Sequence, residues 1–381
     1  MDLPFQPAAL VAIFGGTALV ALLALRSALS RKEKTEDQAR AYLAGFTYVL
    51  SDDPDAAIAE LSKAAQLDTQ TLETYFALGA LFRRKGELER AIRLHRNILL
   101  RPGVAPEIRK RAQFALALDY KRSLLIDKAA EAFEKLLAED PENREALLRY
   151  RQVLEEAKDW SKAIEVQIRL TQLEGKGENI LGHLLAEAAR ALLSLQPDDA
   201  ESLAIRATEL HPGSADAQLA LSEVRLARGG GRDAASPLRT AIRLEPELAP
   251  RSTRLLAATA SDSLEVERFL NEQIATHPNS EAPFELALAL HLKEESSTDR
   301  AIARLRELVD RKPRFWEARK ELGALLLAQN RAEELRAEYR DILATLGQPA
   351  MGFVCSVCRQ KLPGHLFRCP SCESWDTVLR E

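Results

Sequence analysis

The feature of this 381-residue chain that most constrains its fold is a recurring spacing of small residues. Seven alanines follow one another at steps of 34, 38, 34, 37, 34 and 67 residues, the last close to two steps. An apolar position follows each alanine by seven residues, and a proline follows four of them by twelve. The alanines are Ala57, Ala91, Ala129, Ala163, Ala200, Ala234 and Ala301, and the prolines are Pro141, Pro212, Pro246 and Pro313.

Each of these positions suits a pair of helices. An alanine where two helices cross lets their axes approach closely, and a proline ends one helix so that the next begins cleanly. Gly86 and Gly229–Gly231 indicate turns within pairs. The period is that of the tetratricopeptide repeat, a helix–turn–helix that stacks into a superhelix. We therefore predict an all-α chain with eight or nine units over residues 38–346, a degenerate unit at 251–278 and a longer loop at 102–106.

The composition and the remaining motifs favour binding over catalysis. The formal net charge of −4 argues against a nucleic-acid partner, because it provides no global positive field. The helical segments carry no glycine-rich phosphate loop and no nucleophile–base–acid set, so we predict that the chain is not an enzyme. Arrays of this repeat present a groove, lined by the first helix of each pair, to a peptide or helix of a partner.

The first residues of the chain predict a membrane anchor. Residues 3–25 carry no charge, and their 18-residue apolar core would span about 27 Å as a helix, close to the thickness of a bilayer core. A buried core helix is the alternative, which the terminal position and the charged flank disfavour. We predict a single-pass anchor at 1–27 and a charged linker at 28–37, with the N-terminus periplasmic and the repeats cytoplasmic. The basic residues that predict this orientation are Arg26, Arg31, Lys32 and Lys34.

The other end of the chain holds all four of its cysteines, as two Cys-x-x-Cys pairs separated by ten residues. Such pairs can bring four thiolates onto one tetrahedral metal ion. Two disulfides are the alternative, which a reducing compartment disfavours. Residues 350–381 are too few to fold on an apolar core alone, and a metal would supply the missing stability. The predicted ligands are Cys355, Cys358, Cys369 and Cys372, with His365 as a less favoured substitute.

This cysteine pattern is similar to that of a rubredoxin-like or zinc-ribbon module. The spacing does not separate iron from zinc, because a tetrahedral set of four sulfurs suits both. Rubredoxins usually place glycine after each pair, and here Arg359 and Glu373 hold those places. That departure favours a structural metal over electron transfer. A redox-active iron protein on a repeat scaffold remains the alternative function.

The combination of anchor, repeats and cysteine module resembles the lipopolysaccharide assembly protein B (LapB, also YciM) family of Gram-negative bacteria. The resemblance covers the whole chain, and its most telling stretches are Leu78–His95, Asp159–Ile164 and Arg368–Cys372 with Trp375. It implies that the four cysteines bind the metal. The sequence departs most from the family's pattern in the degenerate unit at 251–278.

The resemblance also implies a regulatory role at the bacterial inner membrane. Members of the family promote the degradation by the membrane protease FtsH of LpxC, the deacetylase that catalyses the committed step of lipid A synthesis. They are also thought to gather proteins of lipopolysaccharide synthesis and assembly. We therefore expect a membrane-tethered adaptor, and we leave open whether it forms a homo-oligomer.

Overall fold

The computed structural model describes residues 37–45, 47–49, 53–67, 72–278, 280–345 and 352–380. The predicted anchor at 1–27 and nearly all of the charged linker lie outside the described residues. Among the helices that are described, none has the length and apolar character needed to cross a bilayer. The chain divides into two compact units, Met1–Ala157 and Lys158–Glu381.

The described part of the first unit is helical apart from short connections. Residues 37–45 and 47–49 are helical and precede the first numbered helix. The helices that follow are α1 (Pro54–Leu67), α2 (Leu72–Lys85), α3 (Leu88–Leu100), α4 (Pro106–Arg122), α5 (Ile126–Glu139) and α6 (Arg144–Ala157).

The second unit contains further helices and then a small sheet. Its helices are α7 (Trp160–Glu174), α8 (Glu178–Leu192), α9 (Pro197–Leu210), α10 (Ala215–Ala227), α11 (Gly231–Leu244), α12 (Thr253–Thr259), α13 (Ser263–Thr276), α14 (Glu281–Glu294), α15 (Thr298–Arg311), α16 (Trp316–Ala328) and α17 (Ala332–Thr345). Its strands are β1 (Phe353–Cys355), β2 (Lys361–Leu362) and β3 (Val378–Arg380).

The helices pack where the alanine period places their crossings. All seven alanines of the period are 0% exposed, so each lies where a larger side chain would not fit between the helices. Larger residues such as Phe82 and Leu136 fill the space beside them and are also buried. The all-α tetratricopeptide arrangement predicted from the sequence is thereby confirmed.

The turns within helix pairs adopt the left-handed backbone that glycine favours. Gly86 and Gly229 have φ angles of 86° and 82°, as the sequence predicted for turns at these glycines. Residues other than glycine take the same conformation in four further turns. These are Leu124, Lys158, Ser296 and Asn330. The predicted longer loop connects α3, which ends at Leu100, to α4, which begins at Pro106.

The unit that the sequence marked as degenerate is irregular in the structure. Two 3-10 turns, Pro246–Leu248 and Pro250–Ser252, replace the start of its first helix, and α12 has only seven residues. Prolines at the first position of each turn fix the backbone and remove an amide donor, so a regular helix does not form there. The second helix of the unit, α13, has the normal 14 residues.

The cysteine module folds around a three-stranded antiparallel sheet with the order β2-β1-β3. Phe353 pairs with Leu362 on one side and with Arg380 on the other. The module's small core consists of Phe353, Cys355, Cys369 and Val378. Two of its four core residues are cysteines, so its folding depends on how those sulfurs are satisfied.

Candidate metal centre

The four predicted cysteine ligands lie together at one end of the small sheet. Their sulfur atoms are all within 4.8 Å of one another. The Sγ atoms of Cys355 and Cys372 are 3.6 Å apart, and those of Cys358 and Cys369 are 3.7 Å apart. A tetrahedral ion with metal–sulfur bonds of about 2.3 Å places its sulfurs about 3.8 Å apart. The described cysteines therefore fit a single tetrahedral ion.

Each Cys-x-x-Cys pair is closed by a backbone hydrogen bond from the residue that follows it. The N–H of Arg359 donates to the carbonyl of Cys355, and the N–H of Glu373 donates to the carbonyl of Cys369, both over 2.9 Å. Arg359 and Glu373 have φ angles of 60° and 59°. This is the left-handed region in which a side chain is strained and glycine is not. The two departures from the rubredoxin pattern thus fall where the backbone itself favours glycine.

The thiols of Cys355 and Cys358 differ in how readily they lose a proton. The hydroxyl of Thr377, 3.2 Å away, and the backbone N–H of Cys358 stabilise the thiolate of Cys355 and lower its pKa to about 6. For Cys358, the backbone N–H of Gln360 favours the thiolate, but partial desolvation and hydrogen bonds with the neighbouring cysteines raise its pKa to about 11. Four thiolates repel one another at this distance, and a bound cation would remove that repulsion.

His365, the less favoured substitute ligand, does not belong to the sulfur cluster. Its Nε2 atom lies 3.5 Å from a carboxylate oxygen of Glu245, the residue that caps the C-terminal end of α11. Burial lowers the pKa of His365, since the charged ring is disfavoured there. The ring therefore belongs to the contact between the module and the repeats.

A buried histidine of the repeats forms the centre of that contact. His183, on α8, is 1% exposed, and its Nδ1 donates to Asp216 over 2.7 Å. Its Nε2 donates to Asp376 of the module over 2.8 Å. The ring also stacks on Trp375, with centroids 4.6 Å apart and planes 14° apart. Both nitrogens can donate only when the imidazole is protonated.

The charges around His183 explain why it carries a proton. Burial disfavours the charged ring, but hydrogen bonds to Asp216 and Asp376 outweigh that effect and raise the pKa of His183 to about 9. Burial would likewise raise the pKa of Asp216, yet His183 and Arg190 lower it. Arg190 donates to Asp216 over 2.7 Å and pairs with Glu187 and Glu223. The buried charges are thus compensated within one network.

A second contact joins the end of the sheet to the irregular unit. Arg380, on β3, donates to both carboxylate oxygens of Glu247, over 2.7 and 2.6 Å. The guanidinium also lies over the rings of Phe315 and Phe353, at 5.2 and 4.8 Å from their centroids. A bidentate pair between partly buried groups fixes orientation as well as contributing energy. The module is therefore held on the repeats at two places.

These contacts define a surface that we call the docking face. It combines the first helices of two repeats with the irregular unit and the turn before α16. Its residues are His183, Arg190, Asp216, Leu219, Glu247 and Phe315. The sequence did not reveal these residues as a site, because they are scattered along the chain and none belongs to a motif. One available signal was His183 itself, which lies at a position where most first helices carry no titratable ring.

The other histidines have structural roles. His95, on α3, is buried and forms a hydrogen bond with Asp119 of α4. His291 is also buried and hydrogen-bonded. His211 and His277 cap the ends of α9 and α13, directly before prolines. None of these rings joins the sulfur cluster.

Comparison with known proteins finds tetratricopeptide repeats and bacterial relatives. Family models described as tetratricopeptide repeat match residues 126–181 and 286–348. Lipopolysaccharide assembly protein B of Escherichia coli strain K12 is 28% identical over 93% of this chain and 92% of that protein. The protein of the same name from Haemophilus influenzae is 25% identical over 92% of this chain and 93% of that protein. A solved tetratricopeptide repeat protein from Parabacteroides merdae is 13% identical, with a TM-score of 0.38, over 76% of this chain and 99% of that chain.

The alignments with the two bacterial relatives cover more than nine-tenths of the chain, so the likeness is not confined to the two segments that match the repeat models. The predicted resemblance to the lipopolysaccharide assembly protein B family is thereby confirmed as a similarity over 92 to 93% of the chain, which combines tetratricopeptide repeats with a four-cysteine cluster near its C-terminal end.

Proposed function

We propose that this chain is a non-enzymatic adaptor in lipopolysaccharide assembly. The observation that carries the proposal is the likeness to lipopolysaccharide assembly protein B over 93% of the chain. The fold supports it, because tetratricopeptide repeats bind partner segments along their first helices. The finer part of the proposal is that the adaptor promotes FtsH-mediated proteolysis of LpxC and gathers proteins of lipopolysaccharide synthesis at the inner membrane.

The metal part of the proposal is one iron or zinc ion held by Cys355, Cys358, Cys369 and Cys372. The sulfur separations of 3.6 and 3.7 Å support it. The ion would supply folding energy, since the module has only a small apolar core. In the adaptor, the cysteines hold the sheet that presents Asp376 and Arg380 to the docking face.

The anchor proposed for residues 1–27 would give the adaptor its location. Confinement to a membrane surface raises the effective concentration toward a membrane-bound protease without any new contact. The repeats can then act with modest intrinsic affinity, because the partner is held nearby.

Depletion of the protein in its own cells tests this function. We expect LpxC to accumulate on depletion and to return to its normal level when the full chain is supplied again. A version that starts at residue 28 should restore LpxC turnover poorly although it reaches the same abundance. Unchanged LpxC during depletion would contradict the proteolytic role, and unchanged lipopolysaccharide as well would contradict the adaptor function as a whole.

The alternative function is a redox-active iron centre, and one observation favours it. Cys358 is exposed and its neighbour Val357 is 61% exposed, so one cysteine of the cluster lies at the surface of the module. An electron carrier needs such an edge. An iron-loaded sample that shows a reversible absorbance change on reduction and reoxidation would support this function, and one that bleaches irreversibly would reject it.

A further inference from the structure

An apolar cavity of about 490 Å³ lies among α7, α8 and α9, at the start of the second unit. Ala188 and Ala191 of α8 line it, and their small side chains leave the space between the longer residues unfilled. The volume is within the range of about 300–1,000 Å³ that small-molecule sites have, and such sites are likewise mostly apolar. The apolar residues around it are Trp160, Ile164, Leu185, Ala188, Leu192 and Leu203.

The size of the cavity distinguishes between two kinds of apolar ligand. A helix about 10 Å across occupies on the order of 420 Å³ per turn, so a partner helix could place little more than one turn in this space. A single alkyl chain is much thinner and can contact Ile164, Leu185 and Leu203 at once. Water is readily displaced by such a chain, because apolar walls offer it few hydrogen bonds.

The charged residues at the cavity favour an acidic group on that chain. Lys158 and Arg206 are exposed and form no ion pair or hydrogen bond with another described residue. Asp159 is engaged within its own helix, since it accepts from the N–H of Lys162 over 3.2 Å. Of the described residues that line the cavity, Glu165 is the one carboxylate without such a partner. Two unpaired cations therefore stand against one unpaired carboxylate, and the net attraction is for an anion.

We propose that this cavity binds a long-chain carboxylate, with its alkyl chain among the apolar residues and its acidic group beside Lys158 and Arg206. The cavity lies outside the docking face and the cysteine module. The inference does not depend on the role in lipopolysaccharide assembly, because it rests only on the lining of the cavity.

The length and the charge of the ligand give the first expectations. Two further buried methylenes strengthen binding about tenfold, so dodecanoate should bind about tenfold more tightly than decanoate. Dodecanamide has the same chain without the charge and should bind at least about threefold more weakly than dodecanoate. Equal affinity for all three compounds would overturn the proposal.

Trp160 provides the measurement, because bromine on an alkyl chain quenches tryptophan fluorescence on contact. The three tryptophans of the chain all lie outside the predicted anchor, so a label that collects around the anchor gives no signal. The full chain, held in amphipol, is titrated with a dodecanoate brominated near its methyl end, and the unlabelled compounds are measured by displacement. We expect saturable quenching that is absent from Trp160→Phe. Quenching that persists in Trp160→Phe, or that does not saturate in wild type, would contradict the proposed site.

A variant that fills the cavity tests its location. Ala191 is exposed, so Ala191→Phe can place a ring in the cavity without entering the core of the repeats. It should remove the saturable quenching, whereas Ala138→Phe, at an exposed alanine of α5, should leave it unchanged. Circular dichroism confirms that both variants stay helical. Full quenching of a helical Ala191→Phe chain would overturn the proposal.

Two charge variants test the orientation of the ligand with opposite signs. Arg206→Gln should weaken dodecanoate binding about two- to fivefold, and Glu165→Gln should strengthen it, because each removes one exposed charge beside the acidic group. Arg232→Gln is the matched control, since Arg232 is an exposed arginine of α11 that does not line the cavity. If Arg206→Gln and Glu165→Gln shift the affinity no more than Arg232→Gln does, the carboxylate does not bind at this rim and the proposal fails.

Discussion

Replacing Arg359 with glycine is expected to tighten metal binding by the cysteine module. Arg359 has a φ of 60°, and its exposed side chain makes no hydrogen bond or ion pair with another described residue. A side chain in the left-handed region costs about 1–2 kcal/mol, while glycine adds about 0.5–1 kcal/mol of unfolded-state entropy. The net gain is about 0.5–1 kcal/mol. Since binding energy is folding energy in so small a module, affinity should rise about two- to fivefold.

Competition with a chelator, followed by the absorbance of the bound metal, measures this change. Gln360→Gly is the matched control, because Gln360 is an exposed neighbour without a positive φ. It should leave affinity equal or weaker. Glu373→Gly should gain less than Arg359→Gly, since Glu373 also accepts from Arg368 over 3.4 Å. If Arg359→Gly and Gln360→Gly shift affinity in the same direction by the same amount, the backbone-strain reasoning is refuted.

The remaining predictions concern the module, the first unit and pH. Chelating the metal should make residues 352–380 exchange amide hydrogen rapidly while the helical circular dichroism stays; loss of both signals together would contradict a separate module. Gly79→Ala should destabilise the first unit by about 1–3 kcal/mol, because the added Cβ would lie 2.3 Å from His95, whereas Gly213→Ala has open space and should change chemical unfolding little. Because the pKa of His183 is raised to about 9 from 6.5, the stability it contributes is complete below pH 6.5 and is lost as pH rises through 9. The melting temperatures of wild type and His183→Gln should therefore converge above pH 9. A difference between them that stays the same at every pH would contradict this explanation.

The sequence predicted the elements of the fold because their signals are local or periodic. Ala57 and Ala301 are 244 residues apart, yet a common period placed both at helix crossings, where they are fully buried. The cysteine spacing likewise predicted one cluster, because two tight pairs close together leave few other arrangements. These inferences needed only the chain's own regularity.

The docking of the module could not be predicted in the same way. His183 and Asp376 are 193 residues apart, and neither belongs to a repeat position or a motif. Their pairing depends on burial of one histidine between two carboxylates, which a sequence does not display. The strongest local signal was the loss of the repeat pattern in the unit at 251–278. The irregular turns at the start of that unit form part of the surface that the module contacts.

The irregular turns at Pro246–Leu248 and Pro250–Ser252 have a consequence for how the module finds its place. A stack of similar helix pairs offers nearly the same surface many times, and a small module could slide from one pair to the next. The break in the stack makes one location unlike all the others, and Glu247 marks it for Arg380. The irregular turns therefore specify where the module binds, which a perfectly regular array of repeats could not do.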